Sequence, residues 1–288
     1  MPYHGGMKLS LSVRIVETAA KDRLTIEFDE LARLAVQHGY HAVCMRPSVV
    51  GVRTSEIQRE AVRKTLDRLG LPISMATTDI AVPLNNEHGP DSLRDIGPHL
   101  DVAAALGTNL MRVCMKNDDD IPWAQRAADQ ARERGTRLVH QCHTDSLFET
   151  VAGSLDVIKR VGRVNFGIIY EPANLMLCGE DYGSKAIKQL APHIMNVYVQ
   201  NHRMSSTAKS SLPTRVRGEV RFDMIPLWQP RGVNFRDVFD GLQAIAYNGY
   251  VTVHQAYGEI MGPKEAAERS SYFLRTVAQF DAPRGDKQ

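Results

Sequence analysis

In the stretch RLVHQCHTDSLFET (137–150), two histidines, a glutamine and a cysteine occupy the consecutive positions 140–143. An imidazole moves protons near neutral pH or ligates a metal, and an amide oxygen also ligates. Similar polar interruptions recur downstream. Glu171 ends the apolar run VNFGIIY, Gln200 ends IMNVYV, and His254 ends YVTV. Buried without partners, each would cost roughly 2 kcal/mol or more. A shared divalent cation would satisfy them together, because carboxylate, amide oxygen and imidazole suit Mn²⁺, Mg²⁺, Co²⁺ or Zn²⁺. A hydrogen bond at a strand end would satisfy any one of them singly. Asn174, His202 and Gln255 lie close behind these positions, so a carboxylate, amides and imidazoles collect at four neighbouring strand ends.

The elements that must position these residues are legible from period. Short β-type runs fall at LSLSV (9–13), HAVCM (41–45), PISMA (72–76), LMRVCM (110–115), RLVHQC (137–142), VNFGIIY (164–170), IMNVYVQ (194–200) and YVTVH (250–254). Helical patterns lie between them. EFDELARLAVQHGY puts Leu31, Leu34 and Ala35 on one face. TSEIQREAVRKTLDRLG opens on a Ser/Thr cap and stops at Gly70. PDSLRDIGPHLDVAAALG, PWAQRAADQARERG, SLFETVAGSLDVIKRVG, NFRDVFDGLQAIAYNG and KEAAERSSYFLRTVAQF follow the same logic. Alternating β and α elements imply a parallel sheet with right-handed crossovers. Eight repeats in this length fit a (β/α)8 barrel, an α/β fold in a single domain spanning 1–288, better than an open sheet. No GxGxxG or GxxxxGK[ST] follows the first strand, which weakens a nucleotide-binding open sheet. Residues 202–234 read as one long irregular loop leaving the seventh strand at the end where barrels keep their active sites.

Composition sets the outer bounds. Of 288 residues, 43% are hydrophobic, enough for one large core. The net charge of +2 demands neither a nucleic-acid nor an acidic-membrane partner. No apolar run reaches the length of a membrane span, and the N-terminus lacks a signal-peptide pattern, so a cytoplasmic protein with a small-molecule partner is expected. MPYHGG (1–6) reads as a disordered leader, with Met7 as an alternative start. Cys44, Cys114, Cys142 and Cys178 form no CxxC and read as small buried apolar residues.

The chain resembles the xylose isomerase-like TIM-barrel superfamily of sugar phosphate isomerases and epimerases. That group includes sugar 3-epimerases, inosose dehydratase, 3-dehydroshikimate dehydratase and endonuclease IV. FDELARLAVQHGYHAV, AAALGTNLMRV, RGTRLVHQCHTDSLFET, FGIIYEPANLMLCGED, NVYVQNHR and GVNFRDVFDGLQAIAYNGYVTVHQ carry the likeness. The resemblance implies a divalent metal, Mn²⁺ as first choice, on Gln141, Glu171, Gln200 and His254. The family's usual residues there are Glu, Asp, His or Gln, and Glu. His143 matches a family histidine after strand five, whereas Asn174 stands where the family has another.

These departures bear on mechanism. Gln141 cannot accept a proton, so epimerisation by twin glutamates on two faces is disfavoured. Proton abstraction next to a carbonyl remains, with His143 as base at its natural pKa and His202 or His140 in reserve. Strand parity puts Val139, Gln141 and His143 on one face, and His140 and Cys142 on the other. If the first set faces the barrel axis, His140 is structural. Arg46 and Arg112 could bind substrate hydroxyls or a carboxylate, Asn174 could contribute an amide, and Trp228 could stack on a sugar from the long loop. Lys116 and the acidic run 117–120 read as a solvated loop and helix start. Four readings follow: a sugar isomerase or epimerase; a lyase expelling water or an aglycone from a keto sugar, keto polyol or 3-keto glycoside; an endonuclease IV-like nuclease, disfavoured by charge; and a non-catalytic barrel with a degenerate site. A homo-oligomer is compatible with all but shown by none of these residues.

Overall fold

The computed structural model describes residues 6–79, 87–258 and 260–283. Of the expected leader, residues 1–5 lie outside the described residues; Gly6 donates its N–H to Asp281 Oδ1 at 2.6 Å. Seven strands come first: β1 (Lys8–Ser12), β2 (Ala42–Met45), β3 (Ile73–Thr77), β4 (Leu110–Val113), β5 (Arg137–Gln141), β6 (Phe166–Tyr170) and β7 (Ile194–Val199). Then β8 (His202–Met204), β9 (Ser210–Thr214) and β10 (Gly218–Met224) form a separate antiparallel sheet. Last, β11 (Tyr250–Val253) pairs in parallel with both β7 and β1 and closes an eight-stranded barrel. All eight expected barrel strands form within two residues of their anticipated ends.

The outer ring is helical: α1 (Phe28–Gln37), α2 (Glu56–Arg68), α3 (Asp91–Arg94), α4 (Gly97–Leu106), α5 (Ile121–Glu133), α6 (Val151–Val161), α7 (Pro172–Leu177), α8 (Ser184–Leu190), α9 (Phe235–Ala244) and α10 (Pro263–Val277). Helix α2 starts on a reciprocal capping box between Ser55 and Gln58. Helix α4 ends at Gly107, whose φ of 66° is left-handed and suits glycine. The helical pattern at 90–107 splits in two at Asp95–Ile96, and α7 and α8 were not anticipated between β6 and β7. Each of these is too short for a full amphipathic repeat to stand out.

The period-2 rule explains the two cores. Inward residues of the barrel, Cys44, Met75, Leu110, Val139, Ile169 and Tyr198, form one cluster. Outward residues pack against the helices in a much larger one. All four cysteines are free and buried.

Residues 202–234 are not a structureless loop. In GEVRFDM, Val220 and Phe222 are buried while Glu219 and Arg221 are exposed. Val220, Phe222 and Leu177 pack together with Leu212. That alternation was the available sequence signal. The segment leaves and returns at one point. Asn201 Oδ1 accepts the Val233 N–H at 2.8 Å, and its Nδ2 donates to the Pro226 carbonyl at 2.9 Å. Gln255 braces the same corner, accepting from Asn201 N at 2.7 Å and donating to the Ile225 carbonyl at 3.0 Å.

The far end of the sheet is fastened by one buried carboxylate. Glu149, on the loop after β5, accepts the backbone N–H groups of Arg215 (2.9 Å), Val216 (3.0 Å) and Asp145. Glu149→Ala would leave these donors unpaired, at a cost of roughly 1–3 kcal/mol. The expected result is a lower urea midpoint and faster limited proteolysis between β8 and β10; unchanged cleavage kinetics there would refute the latch.

Candidate active site

A cavity of about 350 Å³ opens at the C-terminal ends of the barrel strands. It is where the barrel geometry puts side chains that point off strand ends without entering the packed interior. Its lining brings together Arg46, Arg112, Gln141, His143, Asn174, Gln200, His202 and His254 of the residues singled out by sequence. Parity holds in space. Gln141 and His143 line the cavity, while His140 stacks on Phe148 with ring centroids 4.1 Å apart.

Glu171 sits at the centre of the polar cluster and is fully buried. One carboxylate oxygen accepts from Gln200 Nε2 at 2.8 Å, and the other accepts from Gln141 Nε2. Burial raises its pKa to about 7, although both amides and Arg112 pull it down. Gln141 Oε1 is buried and has no hydrogen-bond partner among the described residues.

The histidines are neutral for one shared reason, desolvation. His143 directs Nδ1 at the Thr144 carbonyl, 2.8 Å away. That nitrogen must donate, which leaves the lone pair on Nε2. Burial first, and Arg112 second, lower its pKa to about 3, so the natural value expected from sequence does not hold. His202 leans on Phe222 at 4.5 Å, and burial takes its pKa to about 4. Its Nδ1 has no partner among the described residues. His254 stacks on Tyr198 at 3.9 Å, and its Nδ1 meets Ser12 Oγ at 2.9 Å. Burial and then Arg46, Arg112, Arg14 and Lys21 push its pKa well down.

The cavity has two unlike halves. The ends of β5, β6, β7 and β11, with β8, supply amides and imidazoles. The ends of β1, β2 and β4 supply cations: Arg14, Lys21, Arg46 and Arg112. Glu17 takes Arg46 Nε at 2.8 Å and Ser48 Oγ at 2.6 Å. Arg14, Glu17 and Lys21 were missed by sequence reasoning, because charged residues in RIVETAAKDR resemble a solvated loop. Phe222 and Met224 were missed with the sheet that carries them.

Two other expectations change. Trp228 is not among the cavity-lining residues; it packs on Tyr257 and under the Arg269 guanidinium, 4.2 Å away. The short turn after β10 carries it outward, and Phe222 supplies the aromatic wall instead. Asn174 lines the cavity but commits its amide nitrogen to the Cys142 carbonyl at 2.9 Å, fixing the end of β5. In the acidic run, Asp120 is buried and accepts the backbone N–H of Lys116 at 2.7 Å, capping the turn before α5.

The donor set does not fit a resident divalent cation. An ionised carboxylate only accepts, so Gln141 and Gln200 turn their nitrogens to Glu171 and their oxygens elsewhere. Glu171 is fully buried and is not among the cavity-lining residues. Ligation would require both amides to turn over. The ion would then sit beside the four cations that already depress His254. Among the described residues, no group of three or more His, Cys, Asp or Glu side chains is arranged to hold a metal.

Comparisons with known proteins bear on the fold. The probable 3-DHS dehydratase AsbF of Bacillus anthracis superposes with a TM-score of 0.71 at 15% identity, covering 93% of this chain and 99% of that one. A xylose isomerase-like TIM barrel protein from Mycobacterium smegmatis, in complex with magnesium, gives 0.68 at 16%, covering 96% and 98%. D-allulose 3-epimerase from a Methylomonas species, in complex with D-allulose, gives 0.67 at 14%, covering 95% and 98%. A sequence search of curated proteins finds no match. Among the described residues, no helix is long and apolar enough to cross a membrane. The family model for the xylose isomerase-like TIM barrel matches residues 32–277, and with the closed eight-stranded barrel this establishes that the chain belongs to that family.

Proposed function

We propose that the protein is a carbohydrate-active enzyme that removes a proton from the carbon beside a carbonyl. The carrying observation is one cavity that combines a neutral histidine of fixed tautomer with cationic donors. His143 Nε2 takes the proton. Arg112 faces the developing enediolate oxygen, where a pre-set donor is worth most. Glu171 holds Gln141 and Gln200 in place and balances Arg112. His202 is the second acid/base.

Two outcomes share that first step. Return of the proton gives an isomerase or epimerase, the kind of activity borne by D-allulose 3-epimerase. Loss of a β-substituent gives a lyase. The lyase is favoured by one feature, the amide of Gln141, which cannot exchange a proton, at the strand-five position where the family usually has a glutamate.

The test is deuterium wash-in from D2O, followed by NMR, over a panel of keto sugars, keto sugar acids and 3-keto glycosides. Exchange with retention of the skeleton indicates isomerisation; exchange with release of water or an aglycone indicates elimination. No exchange with any of them would leave a non-catalytic binding barrel as the better account.

A further inference from the structure

The cationic half of the cavity carries more charge than a neutral sugar calls for and works against a metal. It is built from separate elements. Arg14 follows β1, Lys21 lies on the next loop, Arg46 follows β2, and Arg112 is within β4. Arg112 and Arg46 are more than nine-tenths buried, with exposures of 7% and 8%. Among the described residues Glu17 is the one carboxylate on the wall, and it is occupied by Arg46 Nε, Ser48 Oγ and, at 3.7 Å, an Arg14 nitrogen. Arg112 Nε, buried, has no partner among the described residues. The cluster repels itself: burial, then Arg14, Arg46 and Arg112, lower the Lys21 pKa to about 7. Lys21 also holds a left-handed backbone, φ 59°, that non-glycine residues adopt at a cost. Buried like charges persist when something of opposite charge completes the site.

We propose that Arg14, Lys21, Arg46 and Arg112 form an oxyanion subsite in place of the metal, so that the substrate is an acidic carbohydrate: a sugar acid or a sugar phosphate. The carbohydrate nature of the ligand rests on the function proposed above; the demand for an anion does not. A carboxylate or phosphate oxygen fits Arg112 and Arg46 by charge-assisted hydrogen bonds, and Lys21 adds a mobile ammonium. Seated there, the anion directs the rest of the molecule towards His143, Gln200 and His202 on the opposite half.

Calorimetric titration of the full chain decides this, with a hexuronate, a hexose 6-phosphate, inorganic phosphate and the parent neutral hexose as probes. At least one anionic sugar is expected to bind about 10–100-fold more tightly than the neutral hexose. Which anionic sugar binds identifies carboxylate or phosphate. Arg112→Met should erase that preference. Lys21→Met, on a loop where folding is less at stake, should weaken it about tenfold at pH 6. Elemental mass spectrometry of protein purified without chelator or histidine tag should find well under one divalent ion per chain. Equal affinity for neutral and anionic sugars, or near one metal per chain, would overturn the proposal. Failure is separable from failure of the proposed function. Anion preference without proton exchange leaves this subsite standing; proton exchange confined to neutral keto sugars removes it and leaves the function.

Discussion

Replacing His143 by alanine is expected to slow proton exchange from the carbon next to a substrate carbonyl by about 10²–10⁴-fold, with little change in substrate affinity. The Thr144 carbonyl fixes the proton on Nδ1, so Nε2 is an acceptor at every pH above about 3, the value to which burial and Arg112 lower the group. The loss should therefore appear in kcat rather than KM. His143 should add no limb to the wild-type pH profile between pH 5 and 8. Deuterium wash-in that persists at the wild-type rate in His143→Ala would remove it from the mechanism. His202→Ala, checked in the same assay, is expected to be the milder variant.

The second large effect is on stability. Glu171→Gln should stabilise the fold above pH 7 by on the order of 3 kcal/mol, while lowering activity. The folded pKa of Glu171, about 7, lies above its unfolded value because burial disfavours the charge. A proton is thus bound more tightly in the folded state. The associated stability is complete below pH 4.5 and is lost as pH rises through about 7. Glutamine removes the charge and with it the loss, and once the Gln141 amide turns over, its Oε1 accepts from the new amide nitrogen. His143 and His202 act with the opposite sign, because their folded pKa values lie below those of the unfolded chain. The difference between wild type and variant cancels them. Urea unfolding from pH 5 to 8.5 should show the two curves diverging through the window below and around pH 7; parallel curves would contradict the raised pKa.

The barrel was legible because β-branched runs, glycine stops and helical faces all repeat along the chain. Every barrel strand was located from such runs, YVTV and FGIIY among them. Gln141, His143, Gln200, His202 and His254 were also legible, because each is polar at the end of a strand that is otherwise apolar. What sequence could not show was direction. Glu171 reads as a ligand until its two oxygens are seen occupied by amides. Trp228 reads as a cover until its ring is seen against Tyr257. Arg14 and Lys21 go unmarked because nothing in RIVETAAKDR indicates that the chain folds back over the cavity. The sheet of β8, β9 and β10 was missed because Ser, Pro and Arg interrupt 202–234 and leave only the short alternation at Val220 and Phe222.

The segment that carries the antiparallel sheet of β8, β9 and β10 also has a bearing on how this protein diversifies. Its two ends meet at Asn201 and Val233, and no barrel strand contributes to its sheet. A segment with adjoining ends is a cassette: its length or sequence can change by insertion, deletion or recombination without altering the register of the strands beneath. Because Phe222 and Met224 come from that cassette and His143 does not, new ligand preferences can be tried in one segment while the proton-abstracting histidine is inherited unchanged; His202, the second acid/base, travels with the cassette.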